Sequence, residues 1–383
     1  MVGVLDDALW IGIKFICQKK GGLNYSQVIQ SSHQYIQANS FDVFPIEDDS
    51  VNLVVTSPPY PMVEMWDEIF GRYDATIGPS IGIGAGYLAY EAMHQLLDQT
   101  WKECFRVLKN GGFACINIGD ATRTLDTRFQ MYSNHSRILQ AFAAIGFDIL
   151  PSIIWRKPTN SPTKFMGSGM LPGGAYVTLE HEWILILRKG TKRVFDKDAQ
   201  TERRNSAMFW EERNKWFCDQ WFDILGTGQK MKKGSSRNRS GAYPFEIPYR
   251  LISMYSKYGD VVLDPFSGTG TSALASILAG RSSKNIDADE YLLNESMLVP
   301  TKRTTKGELN SNLSERLKAH VQYVSSKDML YFKYRNPWMN TPVKTRQEKE
   351  MRLYPIKSIS RANNVVEVKY RKWKGEELAS FIS

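Results

Sequence analysis

The sequence predicts an α/β fold with a largely parallel sheet, because strand-like and helix-like segments alternate along the chain. Val51–Thr56 is a short apolar run rich in β-branched residues, which is typical of a buried strand. Residues 91–108 carry apolar side chains at helical spacing, and residues 113–118 form the next apolar run. A later run, Val261–Asp264, is again followed by a turn and a helical pattern. This repeated order is the one that parallel strands with crossover helices require.

Glycines mark the ends of several predicted elements. Gly111-Gly112 is predicted to end the first helix, and Gly146 to end a second helix with apolar residues from 138 to 145. The other predicted strands are 149–155, 183–187 and 285–287, and the other predicted helices are 248–257 and one that ends at Ala279. The segment beyond residue 300 is polar and basic, and its pattern assigns no fold.

The composition is typical of a soluble globular protein, with 42% hydrophobic and 23% charged residues in a chain of 383. No apolar stretch has the length needed to cross a bilayer. Residues 9–17 are apolar, but Asp6 and Asp7 stand where a signal peptide carries positive charge. We therefore expect residues 9–17 to belong to a folded element and the protein to be cytoplasmic.

The spacing of cysteine and histidine gives no sign of a metal site or a disulfide framework. The cysteines form no CxxC pair, and the five histidines lack the spacing of metal ligands. We predict no metal and reduced, mostly buried thiols at Cys17, Cys104, Cys115 and Cys218.

The positive charge is concentrated in two segments. The chain has a net charge of +9, and residues 188–239 hold 14 Lys and Arg against 7 Asp and Glu. Residues 300–383 hold 18 against 8, so the rest of the chain is acidic. This distribution favours a polyanionic partner, although a solvated basic face would have the same composition.

A glycine-rich turn follows the strand Val261–Asp264, and we call residues 264–271 the glycine loop. Gly268 and Gly270 allow a tight turn and the close approach of a ligand to the backbone. Asp287 lies 23 residues after Asp264 at the end of the next predicted strand, where an acid can accept hydrogen bonds from ribose hydroxyls. The loop is neither a GxGxxG fingerprint nor a P-loop, and a purely structural turn is the alternative.

A second motif, Ser57-Pro58-Pro59-Tyr60, follows the strand Val51–Thr56, and we call residues 57–60 the tetrapeptide. Two prolines cannot continue a sheet, and they hold the chain in an extended, stiff turn. The Ser57 hydroxyl and the Pro58 carbonyl can then converge as acceptors on one small donor group, with the Tyr60 ring beside them for stacking. By itself such a tetrapeptide also occurs in linkers.

Together the two motifs resemble those of the amino-group DNA methyltransferases, which modify N4 of cytosine or N6 of adenine. The tetrapeptide precedes the glycine loop, an order similar to that of the beta class of the family. Four further segments resemble family segments, and the likeness covers residues 40–300: Lys109-Asn110-Gly111-Gly112-Phe113, Trp155-Arg156-Lys157-Pro158, His181-Glu182-Trp183 and Tyr243-Pro244-Phe245-Glu246-Ile247-Pro248.

The resemblance implies a Rossmann-like methyltransferase fold and S-adenosylmethionine as the cofactor. It assigns catalysis to Ser57, Pro58, Pro59 and Tyr60. The residues that it assigns to the cofactor are Asp264, Pro265, Phe266, Gly268, Gly270, Thr271, Asp287 and Phe245. Gly82, Gly84 and Gly86 follow no strand, so we interpret them as a flexible loop near the active site and not as a phosphate-binding turn.

The implied reaction is methyl transfer to the exocyclic amine of a base flipped out of double-stranded DNA. Ser before Pro-Pro-Tyr is associated in the family mainly with N4 of cytosine, and Asp with N6 of adenine, so we predict N4-cytosine. The alternatives are N6-adenine methylation, methylation of RNA or protein, and a non-catalytic DNA-binding protein with the same fold. A restriction-modification system with a cognate endonuclease is the expected context.

The charge distribution and the motifs divide the chain into four predicted segments. Residues 1–187 would form the catalytic half and residues 242–300 the cofactor-binding half of the methyltransferase domain. Residues 188–241 would be an inserted target-recognition segment, and residues 301–383 a basic C-terminal extension. The predicted DNA contacts in the inserted segment are Arg203, Arg204, Lys232 and Lys233.

Overall fold

The computed structural model describes residues 29–157, 166–226, 243–304, 306–375 and 377–378. Its largest sheet has ten strands. In chain order these are β1 (Gln30–Gln37), β2 (Val51–Thr56), β3 (Leu108–Ile118), β6 (Phe147–Arg156), β9 (His181–Lys189), β10 (Gln220–Trp221), β11 (Val261–Asp264), β12 (Ser282–Asp287), β15 (Ile356–Ala362) and β16 (Val365–Tyr370). Three two-stranded ribbons complete the numbering: β4 (Ala121–Leu125) with β5 (Arg128–Tyr132), β7 (Met166–Gly167) with β8 (Ala175–Tyr176), and β13 (Tyr334–Asn336) with β14 (Thr341–Val343).

The strand order across the sheet is β10-β6-β9-β3-β2-β11-β12-β1-β16-β15. The five central neighbours β3, β2, β11, β12 and β1 are all parallel to one another. Strand β2 is buried along its whole length, as expected for a central parallel strand with both faces covered. The predicted α/β fold with a mainly parallel sheet is therefore confirmed. We call the side where these strands end, at Thr56, Ile118, Asp264 and Asp287, the carboxyl edge, and the opposite side the amino edge.

Helices cover both faces of the sheet. The α-helices are α1 (Asp67–Tyr73), α2 (Ile77–Gly82), α3 (Gly86–Val107), α4 (Asn134–Ile145), α5 (Lys197–Asn205), α6 (Trp210–Trp216), α7 (Glu246–Tyr255), α8 (Thr271–Ala279), α9 (Glu290–Leu298) and α10 (Lys306–Ser325). On one face, Trp101 of α3 and Phe142 of α4 pack into a core with Val54. On the other face, Leu251 of α7 and Ala275 of α8 pack with the β2, β3 and β11 side chains that point the opposite way.

The predicted helix end at Gly111-Gly112 is wrong. Helix α3 ends at Val107, and both glycines lie inside β3, beside an irregularity in its pairing with β2. Gly111 has φ of +78°, and a Cβ there would lie 2.7 Å from the Arg193 Cα. Glycine is required at these positions because other segments of the chain pass close to β3, and not because a helix ends there. The prediction for Gly146 is confirmed, because it ends α4 in the left-handed conformation with φ of +113°.

The segment with Gly82, Gly84 and Gly86, predicted to be a flexible loop, is mostly helical. Gly82 ends α2, Gly86 begins α3, and only residues 83–85 link the two helices. A Cβ on Gly86 would lie 2.0 Å from the Tyr132 hydroxyl, because β5 packs directly against this turn. Glycine is needed at position 86 for packing, which agrees with the prediction that the segment is not a phosphate-binding turn.

The C-terminal residues extend the large sheet. Strand β16 pairs antiparallel with β1 and with β15, so the hairpin occupies one end of the sheet. The Tyr370 hydroxyl donates to the Ile277 carbonyl at 2.7 Å, which ties the hairpin to α8. The sequence pattern did not reveal this, because β1 and β16 are separated by more than 300 residues and pair only in the folded chain.

Within the described ranges, no helix combines the length and the apolar character needed to cross a bilayer. The same residues contain no group of three or more His, Cys, Asp or Glu side chains that could hold a metal ion. Cys104 and Cys115 are buried and reduced, whereas Cys218 is exposed. The predictions for residues 9–17 and for Cys17 fall outside the described part of the chain.

Candidate active site

The tetrapeptide and the glycine loop meet at the carboxyl edge. They follow β2 and β11, which are neighbours in the sheet with Leu263 opposite Val54. The Thr56 hydroxyl donates to Asp264 Oδ1 at 2.6 Å, across 208 residues of sequence. Two motifs that are remote in the chain are thus joined by a buried hydrogen bond at the point where the parallel strands end, which is where open α/β sheets bind their ligands.

The two acids of the predicted cofactor site hold the glycine loop from both sides. Asp264 Oδ1 also accepts the Phe266 N–H at 3.0 Å. Asp287 Oδ2 accepts the Gly268 N–H at 2.8 Å, and its other oxygen accepts the Asp289 N–H at 2.9 Å. Asp264 is fully buried beneath the loop, whereas Asp287 is partly exposed beside it. The geometry therefore leaves Asp287, not Asp264, within reach of a ligand.

The two loop glycines have different surroundings. A Cβ on Gly268 would meet no atom within 4 Å, and its φ is +49°. A Cβ on Gly270 would lie 1.9 Å from the Ser296 hydroxyl of α9, and its φ is +83°. Gly268 thus leaves open space at the surface of the loop, whereas Gly270 allows close packing of the loop against α9.

The other predicted cofactor residues lie on or near this loop. The Pro265 carbonyl accepts a hydrogen bond from Ser40, and the Phe266 ring packs against Phe41 with 6.0 Å between centroids. Thr271 is the last residue of the loop and the first residue of α8. Phe245 precedes α7 and stacks on Tyr249, with 5.6 Å between ring centroids.

Burial controls the ionisation of Asp264. It raises the pKa of this carboxyl from its ordinary value of 3.8 to about 6, although hydrogen bonds from Ser272 and Thr56 oppose the shift. Between these two pH values the folded state binds more protons than the unfolded state, so Asp264 makes stability fall as pH rises.

We expect Asp264→Asn to remove this pH dependence. The free energy of unfolding of the wild type should fall, relative to the variant, by about 1.4 kcal/mol per pH unit between about pH 4 and pH 6. The amide oxygen can still accept from Thr56 and Phe266, which preserves the loop. Urea unfolding of both proteins at pH 4.5, 5.5 and 7 measures the difference. A difference that stays constant over this range would contradict the assigned cause.

The tetrapeptide is buried at its prolines and partly open at its ends. Pro58 and Pro59 are buried, whereas Ser57 and Tyr60 are partly exposed. The next carbonyl, that of Pro61, accepts from the Asn134 side chain at 3.0 Å. Both potential acceptors of the motif, the Ser57 hydroxyl and the Pro58 carbonyl, belong to this fixed turn.

The Tyr60 hydroxyl lies in a polar network that the sequence did not predict. It lies 3.0 Å from Ser57 Oγ and 2.9 Å from Glu182 Oε2, and it accepts from Asn117 Nδ2 at 2.7 Å. Lys157 Nζ donates to the other carboxylate oxygen of Glu182 at 2.8 Å. Burial, followed by the negative charge of Glu182, raises the pKa of Tyr60 well above its usual value, so the phenol stays protonated.

Asn117, Lys157 and Glu182 are therefore site residues that sequence reasoning missed. A signal existed for each, since Asn117 interrupts the apolar strand β3, and Lys157 and Glu182 lie in segments that resemble family segments. Only the antiparallel pairing of β9 with β3 and β6 brings the three side chains together at the carboxyl edge.

Two of the predicted DNA contacts lie far from this site. Arg203 and Arg204 belong to α5 and line a cleft of about 1090 Å³ together with Arg188. Arg188 is near the end of β9, which lies at the amino edge because β9 runs antiparallel to β3. Arg204 donates to Glu350 at 2.9 Å, and the Arg203 guanidinium lies 4.6 Å from the Phe195 ring centroid. The structure therefore does not bring these two arginines to the tetrapeptide.

The other two predicted DNA contacts, Lys232 and Lys233, lie outside the described residues. The described residues on either side of them lie at the carboxyl edge. Gly226 is close to Lys157, with 3.6 Å between a Cβ built on the glycine and Lys157 Cγ, and the Tyr243 hydroxyl is 2.5 Å from Ser272 Oγ.

Comparisons with known proteins agree with this geometry. The model of the N6/N4 DNA methylase family matches residues 51–298, which include both motifs. The chain belongs to this family. It is 44% identical over 340 residues to the Type II methyltransferase M.MthZI of Methanothermobacter thermautotrophicus, covering 88% of this chain and 94% of that protein. It is 46% identical over 275 residues to M.MjaI of Methanocaldococcus jannaschii, also a Type II methyltransferase, covering 69% and 89%.

A solved structure supports the same conclusion for the fold and the cofactor. The candidate DNA modification methylase TTHA0409 of Thermus thermophilus, in complex with S-adenosyl-L-methionine, has a TM-score of 0.54 and 29% identity. The match covers 69% of this chain and 91% of the TTHA0409 chain. The protein with the present sequence therefore has the Rossmann-like methyltransferase fold, and its cofactor is S-adenosylmethionine. The open surface at Gly268 and the partly exposed carboxylate of Asp287 fit such a ligand.

Proposed function

We propose that this DNA methyltransferase modifies N4 of cytosine within a specific sequence of double-stranded DNA. The observation that carries the proposal is the arrangement of Ser57 and the Pro58 carbonyl on a fixed turn, hydrogen-bonded through Thr56 to the glycine loop. A serine offers a neutral acceptor at the position before Pro-Pro-Tyr. The cofactor supplies an electrophilic methyl group on its sulfonium.

The residues of the tetrapeptide suit attack by an amine. The lone pair of an exocyclic amine is delocalised into the base, so the amine is a poor nucleophile. Acceptance of its two N–H bonds by Ser57 and Pro58 localises the lone pair and stabilises the positive charge that develops on nitrogen. As the carbon–nitrogen bond forms, the bond between the methyl carbon and sulfur would break to leave a neutral thioether, and the nitrogen would then release one proton to solvent. Tyr60 provides a face on which the flipped base stacks.

A covalent route through cysteine is poorly supported. The sequence has no Pro-Cys dipeptide, and burial raises the pKa of both the Cys104 and the Cys115 thiols. A buried neutral thiol is a poor nucleophile. Among the positions of a DNA base that can be methylated, an exocyclic amine is therefore the one that these residues fit.

We assign Asp287 to the binding of the ribose hydroxyls of the cofactor. Gly268 would allow the cofactor to approach the backbone closely. Phe245 is assigned to the methionine end. The remaining residues of the glycine loop, from Asp264 to Thr271, shape and anchor it.

The DNA contacts divide into two pairs that can be tested separately. We expect Lys232→Ala/Lys233→Ala to weaken DNA binding and to reduce the slope of log affinity against log salt by up to about 2. Arg203→Ala/Arg204→Ala is the matched pair, and its slope should change less, because Arg204 is paired with Glu350 at the amino edge. Affinities measured across a salt series check both. Equal slopes for the wild type and the lysine variant would mean that these lysines face solvent.

We further propose that the enzyme acts in a restriction-modification system beside a cognate endonuclease, as the Type II relatives suggest. Digestion of methylated DNA to nucleosides, followed by mass identification, tests the target base. N4-methylcytosine is expected. N6-methyladenine would replace the cytosine assignment, and DNA that stays unmodified with cofactor present would favour a non-catalytic DNA-binding protein.

A further inference from the structure

We propose that Glu182, acting through the Tyr60 hydroxyl, fixes the proton of Ser57 so that the serine oxygen faces the target amine as an acceptor. The proposal rests on the proposed function, since it assumes that Ser57 receives an amine N–H. Glu182 would be a positioning residue, because it touches Tyr60 and not the reacting atoms.

The Tyr60 hydroxyl has a single proton to donate. It has three polar neighbours within 3.0 Å: Ser57 Oγ, Glu182 Oε2 and Asn117 Nδ2. A carboxylate only accepts and an amide NH₂ only donates. Tyr60 must therefore donate its one proton to Glu182 and accept from Asn117.

The direction of the third hydrogen bond follows. Because the Tyr60 proton is committed to Glu182, the contact with Ser57 at 3.0 Å can form only if Ser57 donates. The serine hydroxyl also has one proton, so both of its lone pairs then remain available. An acceptor prepared in this way needs no rotation when the amine arrives, which is the preorganisation that stabilises a developing charge.

Glu182 is itself held in place from both sides. Asn117 Nδ2 donates to Oε2 at 2.7 Å and Lys157 Nζ donates to Oε1 at 2.8 Å. Glu182 is 8% exposed and Asn117 is 1% exposed, so water competes little for the bond between these two residues, whereas Lys157 is itself exposed. Charge-assisted hydrogen bonds in such an environment are stronger than neutral ones. They therefore keep the hydrogen bonds from Ser57 to Tyr60 and from Tyr60 to Glu182 in one direction.

A double-mutant cycle between Ser57 and Tyr60 tests the proposal. Tyr60→Phe keeps the stacking ring but removes the hydroxyl, and we expect about tenfold slower single-turnover methyl transfer, with saturating cofactor and DNA. In a Ser57→Ala background the same change should have little further effect, because no serine proton remains to be directed. Additive losses would overturn the proposal. They would leave the proposed function intact, since that depends on the methylated nucleoside and on Ser57→Ala alone.

Variants of Glu182 provide a second measurement. Glu182→Ala should slow transfer to the same extent as Tyr60→Phe and should not add to it, whereas Glu182→Gln should recover most of the rate because its amide oxygen still accepts from Tyr60. The matched control is Glu180→Ala. It removes a partly exposed carboxylate that lies two residues before Glu182 and is paired with Arg156, and it should leave the rate unchanged. The proposal would be overturned if Glu182→Gln were as slow as Glu182→Ala, or if the losses caused by Glu182→Ala and Tyr60→Phe were additive.

Discussion

Ser57→Ala is expected to slow single-turnover methyl transfer by about 10²–10³-fold while leaving the affinity for S-adenosylmethionine unchanged. Ser57 is assigned to the amine, and its contribution grows as positive charge develops on nitrogen. Loss of a group that acts mainly in the transition state lowers kcat, whereas loss of a group that only binds substrate raises KM. Transfer of labelled methyl to DNA with saturating cofactor measures the effect directly.

Two further variants make this experiment specific. Ser50→Ala removes a hydroxyl at the other end of the same strand, where it donates to the Glu47 carbonyl, and it should keep the normal rate. Tyr60→Ala should weaken capture of the flipped base by roughly 1–3 kcal/mol of lost stacking, in addition to the effect of losing its hydroxyl. A near-normal rate for Ser57→Ala would mean that the tetrapeptide is a structural turn and that the acceptor lies elsewhere.

Asp287→Ala is expected to weaken S-adenosylmethionine binding by roughly 1.5–3 kcal/mol, or about 10- to 150-fold. The carboxylate would lose its charge-assisted hydrogen bonds to ribose. It would also lose its bond to the Gly268 N–H, which holds the glycine loop. Calorimetric titration of the folded variant with the cofactor gives the affinity.

Asp287→Asn separates the two contributions. Its amide oxygen can keep the bond to Gly268 but carries no charge, so its affinity should lie between those of the wild type and Asp287→Ala. An unchanged affinity in a folded Asp287→Ala variant would defeat the assignment of this residue to the cofactor.

The local pattern of the sequence predicted several of the helices and strands and the positions of both motifs. Val51–Thr56 and Val261–Asp264 were predicted with the bounds that the structure has. The end of α4 at Gly146 was also predicted, because a left-handed C-terminal residue is a property of a few neighbouring residues. The glycine pair at 111–112 misled the prediction because the same residue type also permits a close approach of another segment, which is not a local property.

Which distant residues share the site depends on how the chain folds. The tertiary structure joined Thr56 to Asp264, brought Glu182 to Tyr60, and set Arg203 and Arg204 at the amino edge. It also added β16 to the sheet beside β1. The period of hydrophobic residues and the turn residues are local features that can be identified along the sequence. Strand order and direction depend on pairings between segments that lie tens to hundreds of residues apart. The position of each side chain at the carboxyl or the amino edge follows from those pairings alone.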